Sequence, residues 1–95
     1  MRIISRKALR DAEQKHRDLQ GSLDVWYRIA KKASWASLDD IRKTWRDTDS
    51  VGDKTVFNIK GNRYRLIVKI NYRSQTIFIK AVLAHAEYDK EGWKK

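Results

Sequence analysis

The stretch Thr55-Val56-Phe57-Asn58-Ile59-Lys60-Gly61-Asn62-Arg63-Tyr64-Arg65-Leu66-Ile67-Val68-Lys69-Ile70-Asn71-Tyr72-Arg73 decides the fold. Apolar and polar residues alternate with a period of two on both sides of Gly61-Asn62, a pair that signals a two-residue hairpin with Gly first, as a type II′ turn requires. Such a loop pairs Lys60 with Arg63, Ile59 with Tyr64, Asn58 with Arg65 and Phe57 with Leu66. The alternation continues through Thr76–Leu83, which reads as a third strand after a weaker turn signal near Ser74-Gln75. That turn, whether two or four residues long, is expected to pair Tyr72 with Ile77, Ile70 with Ile79, Lys69 with Lys80 and Arg65 with Ala84.

Side chains alternate across a strand, so this register sorts the residues into two faces. One face holds Phe57, Ile59, Tyr64, Leu66, Val68, Ile70, Tyr72, Ile77 and Ile79, almost purely apolar. The other holds Lys54, Asn58, Lys60, Arg63, Arg65, Lys69, Arg73 and Lys80, interrupted by Val56, Ile67, Phe78 and Val82. Like charges directly opposite one another cost about 0.2–1 kcal/mol per pair. From Lys54 to Ala86 there is no Asp or Glu to relieve them. A solvated face that happens to be basic is the plain reading. The functional one is a surface for a polyanion, with Phe78 able to stack on a base.

The residues before the hairpin read as helical. Met1–Ile4 is a short β-prone stretch suited to an edge strand. Ser5 is positioned to cap a helix over Arg6–His16, with Leu9, Ala12 and His16 on one stripe. Gly21-Ser22 punctuates. A second helix carries Trp26, Ile29, Ala30 and Ala33 at helical spacing. Ser37 opens a third, whose Asp39 and Asp40 suit the first turn and whose apolar side is Leu38, Ile41 and Trp45. His85–Lys90 reads as a final helical turn, followed by a basic tail. The expectation is an α+β fold, N-terminal helices on one face of a small, mainly antiparallel twisted sheet, with residues 1–95 as one domain.

Composition narrows the function. The chain has 95 residues and a formal net charge of +10. That balance speaks to partners such as nucleic acid rather than to fold. No Cys is present, which removes disulfide scaffolds and thiolate metal centres, and the two His lie far apart in sequence. No apolar run approaches a membrane span, so no membrane role is expected. Acidic residues are scattered, with no cluster of the kind that holds catalytic metals.

Cleaving RNA without a metal needs a base for the 2′-hydroxyl proton, a cation for the phosphorane and an acid for the leaving oxygen. Arg65 lies at the centre of the basic face. His85 closes the last strand and Tyr88 follows one helical turn later, so the three can meet at one phosphate. Histidine is the side chain best suited to both proton roles near neutrality. On the expected register a straight last strand points His85 into the core, so convergence requires the chain to turn near Ala84. A structural role for His85, a packing role for Tyr88, and core roles for Trp26 and Trp45 are the plain alternatives. His16 reads first as a helix-interface residue.

Val56–Tyr72 resembles the central hairpin of HigB-family toxins. Ala84-His85-Ala86-Glu87-Tyr88-Asp89-Lys90 is similar to that family's Thr-His-x-Glu-Tyr-Asp-Lys ending, with Ala84 where Thr is common. Met1–Lys7 and Trp26-Tyr27 fit as well. The resemblance implies a RelE/ParE-like fold and a type II toxin that cleaves mRNA on the ribosome without metal or other cofactor. It implies Arg65, His85 and Tyr88 as the catalytic set. Asn58, Lys60, Arg63, Lys69, Arg73 and Lys80 are expected to hold mRNA and ribosomal RNA. It also implies a HigA-type helix-turn-helix antitoxin as partner and the bacterial cytoplasm as the place of action. The alternative is a non-catalytic protein, either an RNA-binding module or a ParE-like gyrase poison.

Overall fold

A computed structural model describes residues 1–61 and 63–90. Strand β1 spans Arg2–Ile4, helix α1 Arg6–Lys15, a 3-10 turn Arg17–Leu19, and helix α2 Gln20–Lys32. Helix α3 spans Leu38–Thr44, and strands β2, β3, β4 and β5 span Thr48–Val51, Lys54–Ile59, Tyr64–Asn71 and Thr76–Ala84. Helix α4 spans His85–Asp89. The five strands lie in the order β1-β5-β4-β3-β2; β1 runs parallel to β5 and the other pairs are antiparallel. The fold is α+β, as the change of hydrophobic period predicts.

Each helix buries the stripe its spacing marks. Leu9 and Ala12 of α1, Leu23, Trp26 and Ala30 of α2, and Ile41 of α3 are buried against Phe57, Ile59, Leu66, Val68 and Ile77 of the sheet. Phe57 sits at the centre, with the rings of Trp26, Trp35 and Trp45 at 5.3, 5.9 and 6.4 Å. Ser37 caps α3 as expected, its hydroxyl accepting from the Asp40 amide at 3.3 Å. Ser5 does not cap α1. Its backbone is left-handed (φ 75°), so its side chain makes no cap bond and its carbonyl accepts from the Ala8 amide instead. Gly21-Ser22 interrupts nothing: α2 runs through both, its break from α1 falling at the 3-10 turn that buries Leu19.

The hairpin register is as expected for Ile59 opposite Tyr64, Asn58 opposite Arg65 and Phe57 opposite Leu66, but the expected Lys60–Arg63 pair is not part of the ladder, which ends at Ile59. Gly61 takes the positive φ the turn needs, 65°, and Lys60 joins it at 53°. The Asn62 half of the turn and the basic tail lie outside the described residues.

The β4–β5 register differs from the expected one. Ile70 pairs with Ile77 and Lys69 with Phe78, not Tyr72 with Ile77 or Lys69 with Lys80. The reason is a four-residue connection, Tyr72–Gln75, centred one residue earlier than expected. There the Asn71 side chain accepts from the Ser74 amide at 3.0 Å and Gln75 is left-handed at φ 56°. A β-bulge then re-phases the strand. Val68 faces Ile79 while Ile67 faces Ala81, leaving Lys80 as the extra residue. Beyond it every side chain changes face, so Val82 and Ala84 pack against the core. Arg65 consequently faces Leu83, not Ala84. One further strand, β2, has no alternating pattern to announce it and joins β3 through Gly52-Asp53.

Candidate active site

The bulge decides where His85 goes. Without it, alternation from Phe78 would send His85 into the core; with it, Leu83 and His85 share the face of Arg65. The chain also leaves the sheet at Ala84 and starts α4, and the His85 amide donates to the Arg63 carbonyl at 2.9 Å.

Arg65, His85 and Tyr88 therefore come together. The Arg65 Nη2 lies 3.5 Å from His85 Nδ1, and the Arg65 guanidinium carbon lies 5.2 Å from the centre of the Tyr88 ring. The Arg65 Nη1 donates to the Tyr64 carbonyl at 3.3 Å, which fixes the fork. Asp89, one helical turn beyond His85, places Oδ2 3.2 Å from His85 Nε2. Sequence reasoning did not single out Asp89, although its i,i+4 spacing from His85 on a helical turn was a readable signal.

Helix α4 is anchored at its start by half of a capping box. The Glu87 carboxylate accepts from the Ala84 amide at 3.1 Å. The Ala84 methyl has no oxygen with which to return the bond. Glu87 also approaches the Lys15 ammonium at 3.9 Å, tying α4 back to α1.

The expected RNA-holding residues fall into separate groups. Asn58 is beside Arg65 across the β3–β4 ladder. Its Oδ1 is buried without a hydrogen-bond partner, and its carbonyl accepts from the Trp45 indole at 3.0 Å. Lys60 and Arg63 sit at the hairpin tip, clasped by Asp18 of the 3-10 turn at 3.3 and 3.8 Å. Asp18 also accepts from the Tyr64 hydroxyl at 2.9 Å. That bond, with the Lys60 ammonium, holds the Asp18 carboxyl below its ordinary range, and Asp18 in turn raises the Tyr64 phenol above its own. Lys69 pairs with Asp53 at 3.5 Å and Lys54 with the same carboxylate at 3.3 Å, and these two ammoniums, Lys54 first, lower Asp53. The face is thus less purely basic than the acid-free run suggests, because Asp18 and Asp53 reach it from outside that run. Arg73 is exposed in the Tyr72–Gln75 connection, off the strand face where it was expected. Lys80, the bulge residue, is exposed beside Phe78, and among the described residues neither it nor Arg73 forms an ion pair.

Helices on one face, an open basic face on the other and a cation–imidazole–phenol cluster at one end define a RelE-like α+β domain. The family described as "HigB_toxin, RelE-like toxic component of a toxin-antitoxin system" matches residues 19–91. The chain belongs to this HigB toxin family. It is 28% identical over 93 residues to the mRNA interferase HigB of Escherichia coli O6:H1, covering 95% of this chain and 90% of that protein. It is 27% identical over 92 residues to the mRNA interferase toxin HigB of Escherichia coli K12, covering 94% and 88%. The mRNA interferase HigB of Shigella flexneri matches to the same extent. No helix among the described residues is long and apolar enough to cross a membrane.

Proposed function

We propose that this toxin is a metal-independent endoribonuclease that cuts mRNA on the ribosome, with Arg65, His85 and Tyr88 as its catalytic residues. The observation that carries this reading is the meeting of the Arg65 guanidinium with the His85 imidazole at 3.5 Å and the Tyr88 ring at 5.2 Å. The mRNA interferase names of the relatives support the substrate.

The donor and acceptor inventory assigns the proton roles. Arginine only donates, so in this reading the His85 Nδ1 that faces it is the accepting nitrogen and the ring proton sits on Nε2, toward Asp89. Asp89 is thus a positioning residue that fixes the ring and its tautomer, as second-partner carboxylates do elsewhere. The Arg65 guanidinium turns from His85 Nδ1 to the phosphate, and the 2′-oxygen forms a bond to the adjacent phosphorus and passes its proton to the freed Nδ1. The bond from phosphorus to the 5′-oxygen breaks, and that oxygen takes a proton back from His85 or through Tyr88. The products are a 2′,3′-cyclic phosphate and a 5′-hydroxyl. Arg65 stabilises the charge that builds on the phosphorane oxygens. Asn58, Lys60, Arg63, Lys69, Arg73 and Lys80 hold the mRNA and ribosomal RNA backbone. In this reading a HigA-type helix-turn-helix antitoxin neutralises the toxin in the bacterial cytoplasm.

Expression of wild type, Arg65→Ala and His85→Ala tests the site. Growth arrest and mRNA ends mapped by primer extension are expected from wild type alone. Equal toxicity and equal cleavage by all three would sink the assignment. DNA breaks with intact mRNA would instead favour gyrase poisoning.

A further inference from the structure

The open face carries one aromatic ring among the described strand residues, Phe78, and it stands away from the catalytic cluster. It is half-buried opposite Lys69, with Lys80 two residues on and Asn71 at the end of β4. These four side chains, with Ile70 and Tyr72, line a shallow groove of about 520 Å³, ample for a nucleobase. Each has a property such a ligand would use. The Phe78 ring offers a π-face. Asn71 spends its Oδ1 on the Ser74 amide at 3.0 Å, which leaves its Nδ2 as the donor end of the amide. Lys80 is held outward by the bulge. Lys69 is tied to Asp53 at 3.5 Å, an exposed pair that a phosphate can replace at little cost.

We propose that Phe78, Asn71, Lys69 and Lys80 form a subsite for one unpaired nucleotide of a single-stranded RNA, its base stacked on Phe78 and its phosphate held by the two lysines. Lys69 lies four residues along β4 from Arg65, about 13 Å at the strand rise. A base seated there therefore belongs to a different nucleotide from the one that is cut, on the same RNA strand. Stacking tolerates any base, and the Asn71 Nδ2 can donate to an acceptor on whichever base is seated. The subsite rests on the endoribonuclease reading for its substrate class, but it makes a separate claim about binding.

The test is equilibrium binding of a fluorescein-labelled single-stranded RNA oligonucleotide to the Arg65→Ala chain, which leaves the RNA intact. Phe78→Leu keeps the apolar bulk and removes the π-face. It should weaken binding roughly 5- to 150-fold, the worth of one base stacked on an aromatic ring. Phe78→Trp should restore affinity, and its indole fluorescence should change on binding. Oligonucleotides with one abasic position, moved along the strand, should reveal a single position whose base matters, and that dependence should vanish in Phe78→Leu. Equal affinity of Phe78→Leu and its parent overturns the subsite, as does failure of the parent to bind the oligonucleotide. Phe78-dependent binding by a wild-type chain that never cleaves would leave the subsite standing and remove the nuclease; cleavage indifferent to Phe78 would do the reverse.

Discussion

Ala84→Thr should strengthen the start of helix α4. Ala84 already has the extended backbone of a helix N-cap, φ −68° and ψ 158°, and already donates its amide to Glu87 at 3.1 Å. What is missing is an oxygen to accept from the Glu87 amide at the third helical position. The introduced hydroxyl supplies it. Ala at an N-cap is worse than Thr by about 0.5–2 kcal/mol, typically about 1. A helix of five residues has few other bonds to share the load, so most of that gain falls on whether α4 is formed. One kcal/mol is about a fivefold shift in that equilibrium. It would raise the melting temperature by about 4–8 °C if α4 unfolds with the rest. Because α4 carries His85, Tyr88 and Asp89, cleavage should rise with its occupancy. Amide exchange at Glu87, urea denaturation and mRNA cleavage in a reconstituted translation reaction measure the three effects. In the background of Glu87→Ala the gain should shrink, because the box needs both halves. Unchanged Glu87 protection together with an unchanged urea midpoint would refute the reasoning, with Ala84→Val as the control for the bulk added beside the core.

Other outcomes follow from the same geometry. Inserting one Ala between Val82 and Leu83 turns His85 to the other face and should lower the cleavage rate by roughly 10²–10⁴, the usual worth of a proton-transfer group. Deleting Lys80 closes the ladder between Ile79 and Ala81 and should keep His85 on its side, so an insertion as active as the deletion would contradict the phase argument. Asp89→Asn should lower the rate at saturating RNA, leave KM unchanged and shift the imidazole ¹⁵N resonances away from the Nε2-protonated pattern; an unchanged ¹⁵N pattern would remove Asp89 from the site. Asp18 titrates below the ordinary carboxyl value of about 3.9 when folded, so its stabilisation is present above that value and fades as pH falls through the lowered one. Denaturation midpoints of wild type and Asp18→Asn should therefore differ at neutral pH and draw together as pH falls below the ordinary carboxyl value, and a difference that does not shrink there would count against the clasp.

Much of this was legible in the residues because local pattern carried it. The Gly61 hairpin dictated its own register, and the change of period after Thr55 dictated the α+β division. Arg65, His85 and Tyr88 could be joined from spacing alone, but only by assuming a turn at Ala84. The bulge at Lys80 does as much for that convergence and had no local signature, since it answers to packing on both sheet faces at once. The same competition set the β4–β5 register, where the Asn71 side chain and a left-handed Gln75 placed the connection one residue earlier than composition suggested. Strand β2 was invisible because Thr48-Asp49-Ser50-Val51 is too polar to alternate and pairs only because β3 is there to receive it. Asp18 and Asp53 illustrate a different limit: an acid-free run in sequence does not keep acids of the rest of the chain from reaching the face it forms.

The two outermost strands bear on how an antitoxin can grip this toxin. Strand β1 spans three residues and β2 four, and Asp49 on β2 is bridged to Arg42 at 3.7 Å. A partner that docks by adding a strand gains a ladder no longer than the edge it joins. Neither margin offers enough backbone to hold a tight complex by itself. An antitoxin that joined either margin would gain only a three- or four-residue ladder, and the rest of its hold would have to come from side chains laid across a face.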